Sequence, residues 1–109
     1  MAETSDTPVL DLLGRMTVDS LEAASALDER TIMLARLAAL IAVDAPPASY
    51  VVNVGAAADA GLDADQLRSL LAAVAPIVGT PRVVAAVGNI MRGLAIEVAA
   101  VDAFAEGQQ

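Results

Sequence analysis

Two adjacent prolines, Pro46 and Pro47, stand near the middle of a chain that otherwise reads as helix, and they fix where it must turn. Proline has no amide hydrogen to donate and disfavours helix in the residue before it. A helix running to about Val43 must therefore stop, and a new one can begin at about Pro47. On neither side does the alternation of a strand persist. Alanine and leucine dominate, and the punctuation is that of helices. The expected class is all-α, a bundle of five to six helices with the last one long.

The remaining boundaries follow from caps and breakers. Thr7 with Pro8 is expected to open a short helix ending near Thr17, and Asp19 or Ser20 to cap a second short segment, LEAASA. Asp28 can accept from the free amides of the next turn, with Glu29 complementing the helix dipole. The helix that follows should bury Ile32, Leu34, Leu37, Leu40 and Ile41. Beyond the prolines, Gly61 is placed to end the next helix in a left-handed conformation. Asp63 and Gln66 form a near capping-box pair for a helix carrying Leu67, Leu70, Leu71, Val74 and Ile77. Pro76 should kink or fray its last turn before Gly79, and Thr80-Pro81 starts the long final helix. Residues 105–109 are expected to form a polar, disordered tail. Small residues in the final helix, Ala85, Gly88, Gly93 and Ala95, serve either a contact between subunits or close packing within one.

Composition decides how such a bundle must live. The chain has 109 residues, so it makes one domain, and a compact monomer of that mass presents roughly 5,600 Å² to water. Hydrophobic residues make up 57% and charged residues only 18%, against about 25% charged in ordinary domains. So small a body has too little interior for that apolar content, and a homo-oligomer is expected. A membrane span is not expected: the longest uncharged runs, residues 45–58 and 69–81, fall short of the ~20 residues required and contain proline. No basic segment precedes an apolar stretch at the N-terminus, so no signal peptide is expected. The net charge is −8, with single scattered arginines and no lysine, which disfavours nucleic acid as a partner.

Three segments together resemble the carboxymuconolactone decarboxylase and AhpD alkylhydroperoxidase superfamily. They are LDERTIMLARLAALIAV at residues 27–43, VGAAADAGLDADQL at 54–67 and APIVGTPRVVAA at 75–86. The likeness is strongest over residues 27–95 of a single domain spanning 1–109. It implies an AhpD-like helical bundle assembling as a dimer, trimer or hexamer, in the cytoplasm of a bacterium. In the thiol branch of that superfamily a Cys-x-x-Cys pair, a histidine and a glutamate cooperate, since only a thiolate attacks peroxide or disulfide. Counting from Gly61 places the cysteine positions at Pro46 and Ser49 and the histidine at Asn53. Counting from the helix that begins near Leu27 gives Ala45 and Ala48 for the cysteines and Met33 for the glutamate. The chain contains no cysteine and no histidine, so the thiol peroxidase route is closed to it. The decarboxylase-like branch keeps the histidine, and an amide at Asn53 can hydrogen-bond but cannot carry a proton near neutral pH.

What remains is a candidate pocket of Tyr50, Asn53, Arg36 and Met33. Tyr50 and Asn53 lie three apart on one helix. They either line a small pocket, or satisfy a nearby carbonyl and a neighbouring helix. Arg36 is the lone charge on an apolar helix, and it pairs either with a carboxylate such as Asp44 or with the carboxylate of a ligand. Arg82 and Arg92 read as exposed or interfacial. Asp59, Asp63 and Asp65 crowd one turn but lack the ligands and glycine of a calcium loop, so no metal is expected, and no cofactor. No serine has a histidine or lysine to activate it. The leading expectation is a homo-oligomeric structural or small-ligand-binding protein, with a small carboxylic acid as the ligand. The alternative is a decarboxylase-like enzyme that orients a small organic acid with Arg36, Tyr50 and Asn53.

Overall fold

A computed structural model describes residues 2–107, and side chains over residues 7–93. Five helices account for the described chain, with no strand among the described residues: α1 (Ala2–Ala23), α2 (Glu29–Ala42), α3 (Pro47–Asp59), α4 (Ala64–Val78) and α5 (Thr80–Gly107). The all-α expectation holds. No helix among the described residues is long and apolar enough to cross a membrane.

The caps act where the sequence placed them. Asp28 accepts from the Thr31 amide at 2.8 Å and starts α2. Asp63 and Gln66 exchange both bonds of a capping box at the head of α4. At the end of α3, Gly61 is left-handed with φ 93°, its amide donates to the Ala58 carbonyl, and that of Leu62 donates to Ala57. The end of α2 repeats this arrangement without glycine. Asp44 takes φ 55°, with its amide on Ile41 and the Ala45 amide on Leu40. A short polar side chain tolerates that conformation better than most, and Pro46 then forces the chain into α3.

Two expectations near the termini are corrected. The break near Thr17 does not occur: α1 is one helix with Pro8 inside it. The Thr17 hydroxyl donates back to the Leu13 carbonyl at 2.9 Å, satisfying itself within the helix, and no proline or glycine follows until the helix has ended. The polar tail is helical as far as Gly107, whereas Gln108 and Gln109 lie outside the described residues. The α4 helix also continues through Pro76 to Val78 before Gly79 turns the chain.

The core is a cluster of Met33, Leu37 and Ile41 from α2, Ala45, Tyr50 and Ala57 around α3, and Ala86 and Ile90 from α5. The widest packing is α3 on α5, then α2 on α3, while α4 leans on α2 and α5. Of the residues expected inside, Leu37 and Ile41 are buried, whereas Ile32, Leu34 and Leu40 are half-buried. In α4, Leu67, Leu70, Leu71 and Val74 only edge the core, and Ile77, expected inside, is 86% exposed. Tight approach of α3 to α5 depends on Gly93: a β carbon there would lie 2.9 Å from the Pro47 carbonyl oxygen and 3.5 Å from the Tyr50 β carbon. One of the two purposes open to the small residues of α5 is thus settled at this position, as packing within the subunit. Gly93→Ala should lower unfolding stability by about 1–3 kcal/mol. Gly55→Ala in α3, with nothing within 4 Å of the added carbon, should raise it by up to about 1 kcal/mol. Denaturant midpoints of the two variants check the pair.

Candidate functional site

The α2–α3 turn brings the expected residues close in the fold but divides them among different surroundings. Met33, Leu37 and Ile41 recur along α2 and form its inward stripe, which places Arg36 on the flank of that stripe. On α3 the inward residues are Tyr50 and Ala57, and Asn53 stands at the margin facing α2. There the Arg36 Nε donates to the Asn53 Oδ1 at 3.0 Å. The Asn53 Nδ2 in turn donates to the Ser49 carbonyl at 2.8 Å. Both ends of the Asn53 amide are therefore held. Asp44 does not pair with Arg36, and among the described residues the single ion pair is Arg68 with Asp65 on the surface.

Tyr50 is 1% exposed, and its hydroxyl has no hydrogen-bond partner among the described residues. Burial first, and the Asp44 carboxylate second, push its ionisation above the usual 10.0. Met33 is buried too, and its edge borders a groove of about 410 Å³ with Leu21, Glu29, Ile32 and Ala56. Arg36 borders a different groove of about 240 Å³, walled by Ser20 and Leu21 of α1, by Ala24 of the turn after it and by Ile32 and Ala35 of α2. A third, almost wholly apolar cavity of about 240 Å³ lies between α2, α3 and α4, against Leu34, Leu37, Val54, Ala57, Leu62 and Leu67. These three cavities bring together no two of the four expected residues.

The Pro46, Ser49, Ala45 and Ala48 positions carry no reactive group. Ala45 is buried, and the Ser49 amide and carbonyl take part in the first turn of α3. No cluster of three or more acidic side chains among the described residues could hold a metal ion. Two exposed arginines act on helix ends: Arg82, read above as exposed or interfacial, and Arg30. Arg82 donates to the Ala42 carbonyl at the end of α2, and Arg30 donates to the Gly61 carbonyl after α3 at 3.3 Å. Asn89 adds a bond to the Ala45 carbonyl at 3.2 Å and accepts one from Arg92 at 3.0 Å. Contacts of this kind between residues far apart in sequence leave no local signal. A carboxymuconolactone decarboxylase family model matches residues 9–89.

The chain belongs to the carboxymuconolactone decarboxylase family. No curated protein and no solved structure matches it. The family match runs from Val9 within α1 through α4 into the first turns of α5, so the turn at Pro46–Pro47 and the Arg36–Asn53 contact fall inside it.

Tyr50 offers a direct probe of this region, because it is the only tyrosine. The folded state holds its proton above the ordinary value, so the unfolded state loses that proton first as pH rises. The stability it confers is therefore complete below pH 10.0 and is lost as pH climbs toward the raised folded value. Tyr50→Phe should flatten that alkaline loss. It should also stabilise the neutral protein by about 1 kcal/mol or more, since it removes a buried hydroxyl with no partner. Urea midpoints from neutral to strongly alkaline pH test both expectations.

Proposed function

We propose that this chain is a non-catalytic, self-assembling subunit of its family, in which the former reaction site has become part of the packing. The observation that carries this is the state of Asn53: its amide oxygen is held by Arg36 and its amide nitrogen by Ser49. A group fixed at both ends, and without a titratable proton, cannot serve as a general acid or base. With neither cysteine nor histidine, this chain supplies no thiolate and no imidazole. The third member of the expected polar set, Tyr50, is inside the core rather than facing a substrate space. A decarboxylase-like enzyme would need Arg36, Tyr50 and Asn53 to converge on one ligand, so that alternative has weaker support.

One observation favours a second reading, the binding of a small carboxylic acid. Arg36 uses Nε on Asn53 and has no carboxylate within ion-pair distance among the described residues, while it borders the groove with Leu21 and Ile32. The terminal guanidinium nitrogens beside an apolar wall suit an acid with a short hydrocarbon body.

Thermal-shift screening against small carboxylic acids separates the two, since a ligand bound only by the folded state must raise the melting temperature. The structural reading expects no acid to shift the protein, and Asn53→Ala to lose roughly 1 kcal/mol of stability with no other consequence. A shift that Arg36→Gln abolishes would replace it with the ligand reading. Decarboxylation of a lactone acid by the purified chain would contradict both.

A further inference from the structure

The helix α1 carries an apolar face without a partner. Val9, Leu13 and Met16 recur at helical spacing along it, each at least half exposed, with Leu12 and Leu10 beside them. The end of α1, through Ser20 and Leu21, borders α2 together with Ala24 of the following turn, and among the described residues α1 packs broadly against no other helix. A second unpartnered face lies on α5, where Val84, Val87 and Met91 project outward over two turns. Between them Gly88 leaves a gap in which an added carbon would meet only the side chain of Arg92.

We propose that the apolar face of α1 docks onto the Val84–Val87–Met91 face of α5 in a second copy of this chain, reciprocally about a two-fold axis. The inference rests on the self-assembly in the reading above and names the surfaces that produce it. Area is the first argument. The chain exposes 7377 Å², against roughly 5,600 Å² for a compact monomer of its mass. That excess is about twice the ~800 Å² each partner contributes to a standard interface. The radius of gyration, 15.5 Å, likewise exceeds the ~13 Å of a compact domain of this length. Charge is the second argument. The polar edge of α1 holds Asp11, Asp19 and Glu22 against a single Arg15, whereas the Arg92 guanidinium stands beside Gly88 at the α5 face. An α1–α1 pairing would set acid against acid, and α1 on α5 sets acid against base. The same acidic edge is repelled by the anionic headgroups that attract basic amphipathic helices to membrane surfaces. Each chain carries one face of each kind, so a two-fold pair satisfies both faces and closes. Docking would also fix α1 as the wall of the Arg36 groove, which now has only one end of that helix to hold it.

Sedimentation of the full-length chain at micromolar concentration, with substitutions on each face, tests this. The wild type should sediment as a dimer or a multiple of it. Leu13→Glu and Val87→Glu should each weaken association at least about tenfold while the helical circular dichroism is retained. Because the chain is free of cysteine, the double variant Leu13→Cys/Val87→Cys should oxidise to a covalent dimer, and neither single variant should. A wild type that remains monomeric would overturn both the inference and the self-assembly on which it rests. An oligomer left intact by both glutamate substitutions, or disulfide-linked by Leu13→Cys alone, would leave self-assembly standing and overturn these surfaces. Binding of the wild type to anionic vesicles, lost in Leu13→Glu, would overturn the choice of a second copy in favour of a membrane.

Discussion

The close approach of α3 to α5 at Gly93 is the constraint from which the middle of the molecule follows. Because no side chain intervenes, the Pro47 carbonyl comes near the backbone of α5, and Tyr50 packs beside it against Gly93. Tyr50 can then fill the centre of a core that has few other large side chains, among them Leu37 and Ile41. Seating Tyr50 inward fixes the rotation of α3. Asn53, three residues on, is carried to the margin where Arg36 of α2 meets it. The Arg36–Asn53 hydrogen bond is thus a consequence of how two helices pack.

The same packing brings α5 across the end of α2. That end has free carbonyls, as every helix end does, and a proline pair beyond it prevents the helix from continuing. Asp44 in a left-handed conformation satisfies part of the need, and Arg82 and Asn89 reach from α5 to Ala42 and Ala45 for the rest. Within this family the turn is where reactive groups are expected. Here the polar side chains around it are engaged in tying α2, α3 and α5 together. Contacts of that kind confer rigidity on the turn.

Local chemistry explains which parts of this were legible in the sequence. Asp28, the Asp63–Gln66 pair, Gly61, the Pro46–Pro47 stop and Thr80-Pro81 each act on residues a turn away, and each lies where the sequence placed it. The α1 helix is single because Asp19 and Ser20, read as caps of a second segment, continue it, and the Thr17 hydroxyl is satisfied inside it. Ile77 reads as core by its spacing, but at the end of α4 it stands 86% exposed. At the site, spacing correctly made Tyr50 and Asn53 neighbours on α3. It could not foresee that one would be enclosed and the other bonded across to α2, because that depends on Gly93, forty residues away. The arginine contacts to Ala42 and Gly61 are long-range in the same way.

The Arg36–Asn53 contact is a structural bond of the folded chain. A double-mutant cycle in urea unfolding, with Arg36→Met, Asn53→Leu and the pair, measures it directly. A favourable coupling of about 0.5–1.5 kcal/mol between the two positions is expected. Additive effects would contradict it, since two side chains that stabilise the fold independently are not holding each other in place.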